Sequence, residues 1–165
     1  MIGNDIVDLV VAQIESNWQR KGFLDKIFTQ KEQLLISNAI NPVIMVWNLW
    51  SRKEAAYKIY NRETAIRGYF PLEIKCNYED ENSGTVAIKG NFYYTKTILS
   101  AAFIHTIAVS KKENFKTIRK ITSTDTVIKT NGIPFVVSRS ELRYQPASIS
   151  HHGQYWEGIT ITDND

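Results

Sequence analysis

The stretch Trp50-Ser51-Arg52-Lys53-Glu54-Ala55-Ala56-Tyr57-Lys58 is the most informative part of this 165-residue chain. It falls inside a predicted helix from Pro42 to about Arg62, which has proline at its first helical position, as helix N-termini favour. On a helix, Trp50, Glu54 and Lys58 recur at intervals of four residues and therefore share one face. An ordinary glutamate–lysine surface pair has the same spacing, so this face alone is compatible with a structural or a functional role.

A second stretch, Gly3-Asn4-Asp5-Ile6-Val7-Asp8-Leu9, places acidic residues in an apolar run that predicts a buried strand. Burying a carboxylate is costly unless its charge is compensated, and a metal ion is one such compensation. The alternative is that Asp5 lies at a strand end, where it caps a turn or pairs with a surface lysine. Gly3 has no side chain and would let a ligand approach the backbone closely. If Asp5 meets Glu54 across the strand–helix interface, the two carboxylates suit magnesium, with Lys58 beside a substrate phosphate.

A third stretch, Ser148-Ile149-Ser150-His151-His152, combines hydroxyl and imidazole groups near the end of the chain. A serine nucleophile with a histidine base is one interpretation, although such partners rarely act as sequence neighbours. The other interpretation is that His151, beside Ser150 at a strand end, donates hydrogen bonds to a phosphate. His105, inside the apolar run from Phe103 to Val109, is interpreted as a structural residue.

The remaining pattern predicts helices early in the chain and an antiparallel sheet later, which is an α+β organisation. Asp8 is expected to cap a helix through about Lys21, and Thr29 with Glu32 has the spacing of a capping box. Strands are predicted over Leu72–Tyr78, Thr85–Lys89, Phe103–Ser110 and Tyr155–Ile161, two more within Phe115–Ile133 around the Asn131-Gly132 turn, and a short helix over Ser138–Tyr144.

Taken together, the three stretches resemble the 4'-phosphopantetheinyl transferase superfamily, whose marks are a Gly-x-Asp motif followed by Trp-Ser-x-Lys-Glu-Ala-x-x-Lys. The run from Asp5 to Asp8 and the segment Phe28-Thr29-Gln30-Lys31-Glu32 further resemble its holo-acyl-carrier-protein synthase branch. The segment from Ser148 to His152 resembles the Ser-x-Ser-His element of the superfamily. The second motif is long and specific, and it gives weight to the shorter first one.

The sequence also departs from the pattern of that superfamily. Asn4 stands where a small or aliphatic residue is more usual, and Val7 stands where larger members place a further acidic ligand. The region from Glu73 to Arg143 matches no motif. The chain is longer than a minimal synthase of this branch, so the trimer typical of small synthases is not assumed, and a trimer and a monomer both stay open.

The resemblance implies one domain over residues 1–165, in which an antiparallel sheet packs against a long helix. It implies an enzyme that transfers 4'-phosphopantetheine from coenzyme A to a serine of an acyl or peptidyl carrier protein. Magnesium is the implied metal ion, and either Glu54 or a water on the metal would take the proton of that serine. The implied site consists of Asp5 and Glu54 as metal ligands, Asp5, Glu54 and Lys58 as catalytic residues, and Lys53, Lys58, Ser150 and His151 as contacts of coenzyme A.

Composition limits the alternatives. The net charge of +3 suits an acidic partner or a phosphate-rich ligand, and the single Cys76 and short apolar runs predict a cytoplasmic protein without a membrane span. A non-catalytic homologue that binds coenzyme A or carrier protein remains an open alternative. A nucleic-acid-binding module is disfavoured, because the basic run from Lys111 to Lys120 lacks the aromatic residues of a stacking platform. The candidates for a basic face that docks the carrier protein are Arg20, Lys21, Lys26 and Lys31.

Overall fold

The computed structural model describes residues 1–68, 70–137 and 143–162, and its elements confirm the α+β class. The helices are α1 (Leu9–Glu15), α2 (Phe23–Ile27), α3 (Gln30–Asn38) and α4 (Pro42–Thr64). The strands are β1 (Ile2–Asp8), β2 (Ile74–Tyr78), β3 (Ser83–Ile88), β4 (Asn91–Leu99), β5 (Phe103–Val109), β6 (Ile118–Lys120), β7 (Thr126–Thr130), β8 (Ile133–Val137), β9 (Tyr144–His152) and β10 (Tyr155–Ile161).

The strands form two antiparallel sheets that meet along β1. The first sheet has the order β1-β5-β4-β3-β2, and the second has the order β6-β10-β9-β8-β7. Helix α4 packs against the first sheet through fully buried side chains that include Leu49, Ala56 and Ile59. Strand β1 is an edge strand of the first sheet, and it also contacts β9 and β10 of the second sheet. The long helix and both sheets therefore converge on β1.

The predicted starts of α3 and α4 are confirmed. The side chain of Thr29 accepts a hydrogen bond from the backbone amide of Glu32, and the Glu32 carboxylate accepts one from the amide of Thr29 at 2.7 Å. These reciprocal bonds form the capping box. The side chain of Asn41 accepts a hydrogen bond from the amide of Ile44 at the start of α4. Local cap chemistry therefore sets where both helices begin.

The helix after Asp8 is shorter than predicted. Helix α1 ends at Glu15, and the Asn17 side chain then accepts a hydrogen bond from the amide of Gln19. Asparagine favours such turns because its side chain competes with the helical hydrogen bonds of the backbone. The chain becomes helical again at α2, after Gly22, whose φ of 79° lies in the left-handed region. The predicted helix is therefore confirmed only over α1, because the chain leaves the helical conformation after Glu15 and α2 begins beyond the predicted end.

The strand predictions are largely confirmed, but β4 and β9 are absent from the sequence prediction. The helix predicted over Ser138–Tyr144 lies mostly outside the described residues, and Tyr144 itself begins β9. Within the described parts of the chain, no helix is both long and apolar enough to cross a membrane.

Candidate active site

A cavity of about 320 Å³ lies between β1, α4 and β9. Its lining includes Asp5 from β1, Glu54 from α4, and His151 and His152 from the end of β9. Trp50, one helical turn before Glu54, contributes an aromatic wall. The fold thus brings residues from all three sequence stretches to one place.

The Asp5 carboxylate is only 13% exposed and is held by contacts from two neighbouring elements. Its Oδ1 atom accepts a hydrogen bond from Ser150 Oγ at 3.1 Å and lies 3.7 Å from Lys58 Nζ. Ser51 Oγ on α4 donates to the main-chain oxygen of Asp5 at 3.3 Å. Burial raises the pKa of Asp5, and the Lys58 charge and the serine hydroxyls oppose that rise. The carboxylate is therefore fixed in position and incompletely compensated.

Glu54 shares the electrostatic environment of Asp5. Burial raises the pKa of Glu54 to about 7, repulsion from the Asp5 carboxylate adds to the rise, and Lys58 opposes it. Asp5 and Glu54 line the same cavity, where a like charge disfavours the ionised form of a neighbouring carboxyl group. A further positive charge in the cavity would relieve this repulsion.

Lys58 spans the gap between α4 and the two sheets. Its ammonium donates to the main-chain oxygen of Asn4 at 2.6 Å and reaches that of Ile149 at 3.4 Å. The side chain is nevertheless 32% exposed. Lys58 is thus fixed beside Asp5 while keeping access to a ligand in solvent.

Neighbouring residues of β9 point in opposite directions, as the alternation of a strand requires. Ser148, Ser150 and His152 accept hydrogen bonds from backbone amides of β1, so they face that strand. His151 lies between them, is exposed and lines the cavity. Its predicted contact with a phosphate of coenzyme A stays a prediction.

The structure corrects the role expected for Lys53. Its ammonium donates to the main-chain oxygens of Ile27 and Pro71 at 2.8 and 2.9 Å and to the Glu32 carboxylate at 2.8 Å. An ammonium group has three protons, and these three acceptors use all of them. The side chain is also only 2% exposed, so Lys53 anchors α4 within the protein and is not placed to bind coenzyme A.

Gly3 allows α4 to approach β1. A Cβ atom at this position would overlap the carbonyl oxygen of Ala55 on α4. The absence of a side chain at Gly3 therefore allows the close packing of β1 against α4, which brings Asp5 and Glu54 together. The sequence interpretation that Gly3 lets a ligand approach the backbone is corrected.

The carboxylate oxygens of Asp5 and Glu54 are suitable ligands for a magnesium ion. Magnesium prefers oxygen ligands and is usually held by one or two carboxylates, with waters and substrate phosphates completing its octahedron. Among the residues that the structure describes, no group of three or more histidine, cysteine, aspartate or glutamate side chains is placed to hold a metal ion. A two-carboxylate site would therefore take its other ligands from substrate and solvent.

The capping role predicted for Asp8 is confirmed, and Asp8 and His152 also have contacts near the site that the sequence does not predict. The amide of Asp8 donates to His152 Nδ1 at 2.9 Å. The Asp8 carboxylate accepts from the amides of Val10, Val11 and Gln154, so it caps α1 and also holds the β9–β10 turn. Desolvation alone would raise the pKa of Asp8, but these amide hydrogen bonds keep that pKa below its ordinary value. Recognition of β9 as a strand would reveal that His152 faces β1.

Two comparisons with known proteins point to the same family. A model described as the 4'-phosphopantetheinyl transferase superfamily matches residues 1–118. The holo-[acyl-carrier-protein] synthase of Campylobacter jejuni is 32% identical over 117 residues, which are 66% of this chain and 94% of that protein. The superfamily match ends at the start of β6, so β7 to β10 lie beyond it.

A similar fold occurs in a solved structure. The crystal structure of Helicobacter pylori holo-[acyl-carrier-protein] synthase in complex with coenzyme A matches with a TM-score of 0.51 and 18% sequence identity. The match covers 66% of this chain and 98% of that chain. It confirms the fold that the sequence motifs predict.

Proposed function

This chain belongs to the 4'-phosphopantetheinyl transferase superfamily, and we propose that it acts as a holo-[acyl-carrier-protein] synthase through Asp5, Glu54 and Lys58. The reaction transfers 4'-phosphopantetheine from coenzyme A to a serine of a carrier protein. The observation that carries the proposal is the convergence of Asp5 and Glu54 on one cavity, with Lys58 Nζ 3.7 Å from the Asp5 carboxylate.

The bond changes define what the site must do. The serine hydroxyl oxygen of the carrier protein attacks the β-phosphorus of coenzyme A, and its proton passes to Glu54 or to a water. Adenosine 3',5'-bisphosphate leaves as the old phosphorus–oxygen bond breaks. Phosphoryl transfer depends mainly on positioning and on neutralising negative charge. No serine of this chain needs to act as a nucleophile, because the acceptor hydroxyl belongs to the partner.

Asp5 and Glu54 are the proposed ligands of magnesium. When bound, magnesium would neutralise negative charge on the pyrophosphate of coenzyme A. The two carboxylates come from different elements, and the close packing of Gly3 against Ala55 keeps those elements together. Their mutual repulsion, which contributes to the raised pKa of Glu54, supports this assignment.

Lys58 and His151 are the proposed contacts of phosphate groups. The Lys58 ammonium is held by the main-chain oxygen of Asn4 and remains partly exposed, so it can offset charge on a phosphate without a large rearrangement. His151 is exposed at the cavity, where an imidazole can donate a hydrogen bond to a phosphate oxygen.

Four basic residues of α2, α3 and the turn before α2 are the proposed docking face for the carrier protein. Arg20, Lys21, Lys26 and Lys31 are all exposed. Arg20 lies over the ring of Phe23 at 5.4 Å, and Phe23 lines the cavity. Carrier proteins of this kind are acidic, so complementary charge would speed and orient their association.

Mass spectrometry of the acceptor tests the proposed function. The protein is incubated with coenzyme A, magnesium and an apo acyl carrier protein, and a matched carrier with its acceptor serine replaced by alanine is the control. We expect a phosphopantetheine mass gain on the apo carrier and none on the control. No gain on several acyl and peptidyl carrier proteins, with binding retained, would favour a non-catalytic binding homologue.

A further inference from the structure

The two edges of β1 are bonded in different ways. On one edge, β1 pairs with β5 in a regular antiparallel ladder. On the other edge, the amides of Asn4, Ile6 and Asp8 donate to side chains of β9 instead of to its backbone. The acceptors are Ser148 Oγ at 2.9 Å, Ser150 Oγ at 3.2 Å and His152 Nδ1 at 2.9 Å.

We call Ser148, Ser150 and His152 the side-chain ladder. Alternate residues of a strand share one face, so the two-residue repeat of β9 matches the two-residue repeat of amides along β1. The ladder satisfies amides that an uncovered edge strand would leave unpaired. It also joins the second sheet, whose strands β7 to β10 lie beyond the superfamily match, to the strand that bears Asp5.

Ser150, in the middle of the ladder, has an additional contact. Its oxygen accepts from the amide of Ile6, and its single proton is donated to Asp5 Oδ1 at 3.1 Å. Ser150 is 6% exposed, so the hydroxyl has little freedom to turn elsewhere. Ser148 is 2% exposed and accepts from Asn4 in the same way, but among the described residues it has no hydrogen bond to Asp5.

We propose that Ser150 is a positioning residue that orients the Asp5 carboxylate for metal binding, and that it is not a contact of coenzyme A as the sequence suggests. Through Ser150, the second sheet sets the geometry of a ligand carried by the first sheet. This role rests on the proposed function, which assigns Asp5 to the metal ion. The bond from Ser150 fixes the rotation of the carboxylate, because it engages one oxygen and leaves the other available.

The variants Ser150→Ala and Ser148→Ala provide a matched test. Each change removes one hydroxyl from the same strand and leaves one amide of β1 without its acceptor, so both should lower the melting temperature to a similar extent. Removing a partner that orients a metal ligand typically weakens metal affinity or activity about 10- to 100-fold. We therefore expect Ser150→Ala to weaken Mn²⁺ binding to the ligand-free protein by at least about tenfold, and Ser148→Ala to bind as the wild type does.

Kinetics provides the second readout. We expect Ser150→Ala to lower kcat while leaving the KM for coenzyme A within about twofold of the wild type, since no contact with coenzyme A is lost. Equal Mn²⁺ affinity in the two variants would overturn the proposal, and so would a raised KM for coenzyme A with an unchanged kcat. Mn²⁺ binding needs no turnover, so it tests Ser150 even if the wild type transfers no phosphopantetheine and the proposed function fails.

Discussion

Glu54 lies where its charge is unfavourable in the ligand-free protein. Burial and the nearby Asp5 carboxylate raise its pKa from 4.5 to about 7, and Lys58 offsets only part of this effect. Sites that bind cations often keep such unfavourable charge in the free state, so that binding rather than folding compensates it. The charge that suits Glu54 to a metal ion should therefore reduce the stability of the metal-free fold.

Replacing Glu54 by glutamine should stabilise the metal-free protein at alkaline pH. A carboxyl with a raised folded-state pKa holds its proton more tightly in the folded than in the unfolded chain, so its ionisation destabilises the fold as pH rises from 4.5 to about 7. We expect Glu54→Gln to increase the free energy of unfolding at pH 8 by roughly 1–3 kcal/mol, with a smaller increase at pH 5.

Urea denaturation in the presence of a chelator measures this difference. Glu113→Gln, which neutralises an exposed glutamate in the 3₁₀ turn Lys112–Lys116, is the control and should change stability little at either pH. An unchanged or lowered stability of Glu54→Gln at pH 8 would show that the ionised Glu54 carboxylate does not destabilise the metal-free fold.

The sequence predicts some residues of the site better than others. The motif places Glu54 and Lys58 four residues apart. Residues at this spacing share one face of a helix, so the sequence alone predicts that the two side chains lie on the same side of α4. The orientation of the Lys53 side chain is set by two main-chain oxygens and by the Glu32 carboxylate, and only the tertiary fold brings these acceptors close to Lys53. The distinct roles of Ser150 and His151 depend on β9 being a strand, which their polar and imidazole side chains do not indicate.

At the scale of elements, α4 is fixed by three consecutive buried polar residues that point to different parts of the fold. Ser51 donates to β1, and Lys53 is bound by Glu32 and two main-chain oxygens. Arg52 donates to three main-chain oxygens at 2.7 to 3.0 Å, two in the β2–β3 turn and one at the start of β3. These contacts set both the rotation and the position of the helix immediately before Glu54.

Breaking the pair formed by Lys53 and Glu32 should destabilise the protein strongly. Removing one partner of a buried ion pair leaves an uncompensated charge and typically costs about 3–5 kcal/mol. We expect a loss of this order for Lys53→Met, and a smaller loss for the double variant Lys53→Met/Glu32→Gln, in which neither charge is left. Lys31→Met on the exposed face of α3 is the control. Unfolding by urea measures all three, and a loss below about 1 kcal/mol in Lys53→Met would contradict the buried role.

At the scale of the whole molecule, the two sheets are joined by the side-chain ladder, by the bond from Asn4 to the main-chain oxygen of Glu157, and by Lys58. The residues proposed for the active site lie on both sheets and on α4, so the site depends on the junction between the sheets. The single domain over residues 1–165 that the sequence implies stays a prediction. It requires the second sheet to fold together with the first.

Hydrogen exchange can test whether the sheets unfold as one unit. If the ladder couples them, the amides of β5 in the first sheet and those of β9 in the second should exchange through openings of similar free energy. Mass spectrometry of peptic fragments under native conditions measures both. Rapid exchange of β9 with full protection of β5 would indicate that the second sheet is a separate unit.

The most direct test of the central claim is the rate of phosphopantetheine transfer as a function of magnesium concentration in Asp5→Asn, Glu54→Gln and the control Glu113→Gln. If the two carboxylates jointly hold the metal ion, each site variant should lose roughly a hundredfold or more in rate and need more magnesium, since such an ion supplies several kcal/mol of charge stabilisation. The control should behave as the wild type does. A wild-type rate at limiting magnesium in either site variant would contradict the assignment of that carboxylate to the metal.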